Sequence, residues 1–419
     1  MGLIAKNTFL FMLLSLIACV NSNTKAARAK NSGATSQTEP TRSNLPIITG
    51  AENLQAYLPM IRGKKVGIVT NQTGTINYIQ APETSTWIRG EQMSVVDYLI
   101  GQSVQFRAIY APEHGFRGTA DAGETIRDGR DIKTGLPIIS LYGNNKKPSP
   151  SQLEGIDVML FDLQDVGARF YTYISTLHYV VEACAENNIP LIVLDRPNPN
   201  NGTVDGPVLE KGNESFVGMH PIPVLHGLTI GEYAQMVLGE RWVKADGLDL
   251  TVVPCLNYEK NMRYSLPVKP SPNLPNDRSV NLYASLCLFE GTNVSVGRGT
   301  NKQFQIYGSP FLPDTGFSFV PMPNVGAKDP MHKGKKCFGK DLSAHPPVKK
   351  LELEWLIDAY ANTSDKKSFF NNFFLKLAGT TTLREQIETG VPENKIRESW
   401  QPGLAKFRAL RSKYLLYAD

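Results

Sequence analysis

Five short apolar runs rich in β-branched residues constrain this chain more than any other feature: Val66 to Thr70, Phe106 to Ala111, Pro137 to Leu141, Val158 to Phe161 and Leu191 to Leu194. Runs without polar alternation describe strands covered on both faces, the condition of a parallel sheet between helices. The segments between them fit that reading. From Ala168 to about Asn187, apolar residues Phe170, Ile174, Leu177, Val181 and Cys184 recur at helical spacing, which predicts one buried stripe. Thr229 with Glu232 three residues later predicts a capping box opening another helix. Residues 46–255 are therefore expected to form an α/β domain. After residue 255, proline-rich loops alternate with short strand-like runs and then with helical segments at Leu351 to Tyr360, Ser368 to Leu377 and Leu404 to Tyr414. This predicts a smaller α+β domain over 256–419.

The turn at the end of each run carries the chemistry. The successive turns are Thr70-Asn71-Gln72-Thr73-Gly74, Pro112-Glu113-His114-Gly115, Tyr142-Gly143, Asp162 to Gly167, and Asp195-Arg196-Pro197-Asn198-Pro199. In a parallel sheet these turns share the carboxyl edge, where ligands bind. A site built from several strand ends is the expectation.

The first residues read as an address. Lys6 precedes an apolar stretch from Thr8 to Val20, too short for a stable membrane span and suited to a secretory signal. It ends in Leu16-Ile17-Ala18-Cys19, which resembles a bacterial lipobox, so residues 1–19 are expected to be a signal with Cys19 lipidated; an ordinary cleaved signal is the alternative. Residues 20–45 are poor in large apolar groups and are expected to be a tether. An exported protein tethered to a membrane is the resulting expectation. A net charge of +5, with no dense basic stripe, gives no support to a nucleic-acid partner. Cys184, Cys255, Cys287 and Cys337 match no zinc or redox spacing, and both disulfides and buried thiols fit them.

Glu113, on a rigid Pro-to-Gly turn at a strand end, is the first candidate for a general acid, with His114 beside it. Capping of a helix or pairing with Arg117 is the structural alternative. In FDLQDVGARFYTY, Asp162 and Asp165 are candidates to position water, bind a metal or orient Arg169, and Asp162 and Arg169 are candidates to act at the site. Tyr171 and Tyr173 are candidates for a wall on which a sugar stacks. Phe170 reads as core, and Asp165 equally as a helix cap. Asp195 and Arg196 either pair within their loop or, through the guanidinium fork, grip an anion. The run Glu290-Gly291-Thr292-Asn293 and Gly297-Arg298-Gly299-Thr300 lacks both the Walker lysine and the Rossmann glycine spacing, so no nucleotide cofactor is expected. Glu290 is instead a candidate second carboxylate, and Arg298 a further anion contact. His178 and His226 do not form the spacing of a metal pair.

These segments carry a resemblance. TNQTG, APEHGFRG, TGLPIISLYG, FDLQDVGARFYTYIST, VLDRPNPNNG, VDGPVLE, PIPVLHGLTIGEYA, PSPNLPN, EGTNVSVGRGT and GSPF, in this order, resemble the exo-β-N-acetylmuramidases of bacterial cell-wall recycling. The likeness runs from about residue 50 to the C-terminus, with departures at Val296, Gln303 and Gln305. It implies a Rossmann-like domain joined to a smaller one and an active cleft between them. It also implies release of N-acetylmuramic acid from the non-reducing end of peptidoglycan chains, with Glu113 at the position of the family's PEHG glutamate. Asn71 and Asn293, in matching motifs, join Tyr171, Tyr173, Asp195 and the three arginines, Arg169, Arg196 and Arg298, as candidate substrate contacts. The lactyl carboxylate of muramic acid calls for one of those cations. The second catalytic group is left open among Asp162, Asp165, Glu290 and the substrate's own acetamido oxygen.

Overall fold

In a computed structural model of the protein, the described residues are 45–81, 86–117 and 128–419. The signal, Cys19 and nearly all of the expected tether lie outside them.

The alternation of side chains along each strand explains the architecture. Val66, Ile68, Val158, Leu160, Ile192 and Leu194 enter one apolar cluster, whereas Val69, Met159, Phe161, Leu191 and Val193 enter another. Both faces of the sheet are thus buried, as the unbroken apolar runs require. The sheet contains β1 (Lys65–Thr70), β4 (Gln105–Ala111), β5 (Gly129–Arg130), β6 (Pro137–Ser140), β7 (Val158–Asp162), β8 (Leu191–Leu194) and β11 (Leu250–Val253). Its order is β11-β8-β7-β1-β4-β6-β5, parallel except for the short edge strand β5. All five expected strands are present, and β11 and β5 extend the sheet beyond them.

Two antiparallel pairs flank the sheet: β2 (Thr75–Gln80) with β3 (Trp87–Ser94), and β9 (Val204–Val208) with β10 (Pro223–His226). The helices of this half are α1 (Leu54–Ile61), α2 (Val95–Gly101), α3 (Tyr173–Glu186) and α4 (Ile230–Gly239). Helix α3 starts five residues later than periodicity suggests. Ala168 forms an antiparallel bridge to Leu225, and the Arg169 N–H donates to the Val224 carbonyl, so this stretch is claimed by β10 before the helix begins. Helix α4 has the expected capping box: Thr229 Oγ1 accepts from Glu232 N, and Glu232 Oε2 accepts from Thr229 N.

The C-terminal half carries α5 (Asp277–Leu286) and a three-stranded antiparallel sheet, β12 (Ile306–Ser309), β14 (Cys337–Asp341) and β13 (Ser318–Phe319), in that order. Beyond it come four helices: α6 (Glu354–Asn362), α7 (Phe373–Ala378), α8 (Thr382–Glu388) and α9 (Glu393–Arg411). Its apolar side chains, among them Leu282, Phe289, Phe374 and Leu404, join the same cluster as Phe161 and Leu177. That shared core is why the described residues form one compact unit. The four cysteines from Cys184 onward are buried free thiols.

Candidate active site

In this strand order the chain leaves β1 toward β4 and β6, then returns to the other side of β1 with β7 and β8. The crevice at the ends of β1 and β7 is therefore the default ligand site. Here protein fills it. Arg196 makes a two-pronged ion pair with Asp162, Nε to Oδ1 at 2.6 Å and Nη2 to Oδ2 at 2.9 Å, and Nη2 also donates to the Thr75 carbonyl. Both side chains are buried. Burial alone would lower the Arg196 pKa, but the Asp162 carboxylate outweighs it and holds the guanidinium charged. Neither residue lines the open cavity described below, so the expectation that Asp162 is catalytic and Arg196 grips substrate is corrected: they neutralise each other inside the sheet edge.

Asp195 is similarly committed. It accepts hydrogen bonds from Thr229 Oγ1, Tyr417 OH, Gly231 N and Arg196 N, and so ties the N-terminus of α4 to the chain's last residues. Burial pushes its carboxyl up to about 6. Its expected substrate contact is replaced by this junction.

Arg169, fully buried, donates to the carbonyls of Pro207, Ile222, Leu377 and Ala378, all at 2.8 Å. Two of these are the final carbonyls of α7, where a cation complements the helix dipole. Burial pushes this guanidinium down to about 9. Arg169 thus joins the two halves of the molecule instead of facing a ligand. Asn71 is also internal: Nδ2 donates to Tyr173 OH at 2.6 Å, and Oδ1 accepts from Thr73. Asn293 meets Phe369, Ser309 and His332 through its backbone and does not line the cavity described below. Asp165, buried and pushed up to about 7, accepts from Gly167 N and lies 3.7 Å from His226 Nε2. It too is absent from the cavity wall.

The open site lies one strand over, against the end of β4 and the start of α3. A cavity of about 700 Å³ is lined by Glu113, His114, Tyr171, Thr172, Tyr173, Tyr283, Glu290, Arg298 and Phe304, among others. Glu113 is half-buried, and its Oε2 accepts from Thr172 Oγ1 at 2.8 Å. Arg117, its alternative partner in the sequence reading, pairs with Asp131 instead. His114 and Gly115 both adopt left-handed backbone, φ 72° and 76°, closing the turn through a Gly115 N to Pro112 O hydrogen bond. A histidine in that region is uncommon and carries strain, of the kind that accompanies pre-organised sites.

Across the cavity, Arg298 Nε donates to Glu290 Oε1 at 2.5 Å, and the guanidinium lies over the Phe304 ring, 5.0 Å from its centroid. Each side chain of this pair keeps about a quarter of its surface exposed, 24% for Arg298 and 23% for Glu290. Tyr171 and Tyr173 meet edge to face at 4.7 Å and both donate to the Pro270 carbonyl, which docks the 270–273 loop onto the first half. Thr172, Tyr283 and Phe304 are contributions that sequence reasoning missed. Thr172 directly precedes α3, and only the approach of β4 reveals its partner. Among the described residues, no group of three or more His, Cys, Asp and Glu is placed to hold a metal ion.

Fold and cavity together define the class: an α/β protein whose ligand cavity opens at the carboxyl edge of a parallel sheet and is completed by a smaller α+β part. The chain belongs to the exo-β-N-acetylmuramidase NamZ family: the N-terminal model of that family matches residues 66–278 and the C-terminal model residues 281–417. It is 38% identical over 396 residues to the peptidoglycan β-N-acetylmuramidase NamZ of Bacillus subtilis strain 168, covering 88% of this chain and 91% of that one. Two crystal structures of DUF1343 family proteins from Bacteroides fragilis NCTC 9343 are similar. One has a TM-score of 0.80 at 41% identity, covering 89% of this chain and 99% of its own; the other has a TM-score of 0.71 at 29% identity, covering 88% and 99%.

Proposed function

We propose that this protein is an exo-acting glycoside hydrolase that releases N-acetylmuramic acid from the non-reducing end of peptidoglycan fragments, with Glu113 as proton donor. The observation that carries this reading is the Glu113 carboxyl, held by Thr172 at the wall of a sugar-sized cavity that also holds an arginine. Family membership supports the reaction class. In the proposed step, the Glu113 proton passes to the glycosidic oxygen as the C1–O bond breaks. Either water activated by Glu290 or the substrate's 2-acetamido oxygen attacks C1 from the opposite face. Of the three carboxylates offered from the sequence for that second task, Glu290 alone lines the cavity. Arg298 supplies the cation for the lactyl carboxylate, with Glu290 and Phe304 holding its plane.

The decisive experiment incubates a chromogenic β-N-acetylmuramide with the protein and with Glu113→Gln. The expected result is turnover by the first and a loss of about 10²- to 10⁴-fold in the second. Glycan affinity with no turnover in the parent protein would instead mark a noncatalytic wall-binding protein, and activity abolished by a chelator would mark a metal-dependent hydrolase. The reading extends to location: the apolar stretch ending at Cys19 supports export and lipid anchoring at the cell envelope. Radiolabelled palmitate entering the protein but not Cys19→Ser is the expected outcome; labelling of neither leaves no lipid anchor.

A further inference from the structure

Three aromatic rings outside the core meet at one end of the Glu113 cavity. Tyr142, Phe216 and Tyr179 belong to none of the apolar clusters that hold the molecule together. The Phe216 ring lies 6.1 Å from that of Tyr142, centroid to centroid, and stacks at 6.3 Å on Tyr179. The Lys146 ammonium, 4.7 Å from the Phe216 centroid, is a further hold on that ring. Phe216, Val217 and Tyr142 line the cavity, and all three are half-buried.

A tight turn presents Phe216. Ser215 and Gly218 exchange backbone hydrogen bonds of 2.9 and 3.0 Å, which leaves Phe216 and Val217 as the two residues of the tip. The base of this loop is fastened to the residue after α7, since Glu210 N and Asn213 Nδ2 both donate to the Gly379 carbonyl. Turn tips ordinarily carry Gly, Pro, Asn, Asp or Ser. A phenylalanine and a valine facing an open cavity instead leave apolar surface in water, which the apolar face of a ligand would cover.

The position of this end relative to Glu113 gives it a role. The order β1-β4-β6 puts Tyr142, two residues past β6, on the side of Glu113 away from β1. On α3, Tyr179 is seven positions beyond Thr172, the residue that donates to Glu113, so it shares that face about 10 Å farther along the axis. The opposite direction leads to the arginine: Tyr171 meets Tyr283 at 5.9 Å, Tyr283 meets Phe304 at 5.0 Å, and Phe304 lies under Arg298. Glu113 therefore stands between a cationic end and an aromatic end. A proton donor to a glycosidic oxygen stands between the two sugars that the oxygen joins.

We propose that Phe216, with Val217 and Tyr142, forms the leaving-group subsite, against which the N-acetylglucosamine next to the scissile bond packs its apolar face. The inference rests on the glycosidase reading and extends it from the sugar that is cut off to the one left behind. Tyr171 and Tyr173, the sugar wall offered by the sequence, are buried and donate to the Pro270 carbonyl, so the stacking surface lies at this end instead.

The test is calorimetric titration of the Glu113→Gln protein with N-acetylmuramic acid and, separately, with the disaccharide in which it is β-1,4-linked to N-acetylglucosamine. The disaccharide is expected to bind about tenfold or more tighter. Adding Phe216→Ala is expected to bring the disaccharide to within about twofold of the monosaccharide, whose own affinity stays unchanged. Phe216→Tyr, which keeps the ring, is expected to retain the difference. Where the alanine variant fails to fold, Phe216→Leu is read in its place, with an expected loss of about threefold for the disaccharide alone. Equal affinity for the two ligands before Phe216 is changed, or a difference that survives both Phe216→Ala and Phe216→Leu, overturns the inference. The glycosidase reading falls separately, if the protein with Glu113 intact leaves the disaccharide uncleaved.

Discussion

Two carboxylate–guanidinium pairs in this molecule look alike in sequence and act differently. Asp162–Arg196 is closed off at the ends of β7 and β8, with 0% and 1% of the side chains exposed, whereas Glu290–Arg298 opens onto the cavity with about a quarter of each exposed. Both pairs come after apolar stretches, in glycine- or proline-bearing loops. The difference lies in what covers them. The Thr75 carbonyl, on β2, caps the first, whereas both members of the second line the cavity. A sealed pair is a structural commitment, because losing one partner strands a charge in a low dielectric. An open pair keeps an oriented cation whose remaining N–H groups can meet a ligand.

The sharpest way to break this contrast is Asp162→Ala. It leaves Arg196 buried without its partner and is expected to destabilise the fold by about 3–5 kcal/mol, read by chemical denaturation. A change below about 1 kcal/mol would mean the pair is solvated and the two sites are alike. Arg298→Met is expected to lower kcat/KM for muramic substrates by about 10- to 100-fold while leaving glucosamine glycosides and the denaturation midpoint nearly unchanged. Equal loss on both substrates would remove the anion role.

Smaller effects refine the picture. Burial pushes the Asp165 carboxyl up to about 7. The folded state therefore holds a proton that the unfolded chain releases above about 4, and its stabilising effect, complete below that pH, is lost as pH rises toward 7. Asp165→Asn removes this loss, so the stability of the variant relative to the parent protein is expected to climb across pH 4 to 7, by at most about 1.4 kcal/mol per pH unit. A flat difference would show that Asp165 is charged throughout. His226 contributes the opposite slope in both proteins: burial pushes it down to about 3, so its contribution is lost as pH falls below about 6.5. Because Asp165 stands 3.7 Å from His226 Nε2, the same comparison made in a His226→Gln background separates the two slopes. Last, Thr172→Val is expected to lower kcat by about five- to tenfold with KM unchanged, and Thr172→Ser to restore it, since only the hydroxyl that donates to Glu113 is at stake.

Legibility in the sequence obeyed a physical division. Five strands, the α4 capping box and the position of Glu113 at the end of β4 were readable because each depends on neighbours along the chain. Tyr171 and Tyr173 were placed on the wall for the same reason: they sit beside a strand end that leads into a helix. Arg169, Arg196, Asp195 and Asn71 stand in equally suggestive motifs, yet the structure spends them on carbonyls, carboxylates and hydroxyls from distant segments. The partners of Arg169 on α7 lie more than 200 positions away, beyond any local pattern.

By itself the sequence determined the parallel α/β sheet, the polar turns at its carboxyl edge and the glutamate that stands among them, because periodicity, capping and turn residues act over a few positions. Only the tertiary structure decided which charged groups are sealed and which are open, since burial depends on segments that meet through the shared core. The same guanidinium is a sealed structural tie where other segments cover it and a partly exposed, oriented cation where they do not.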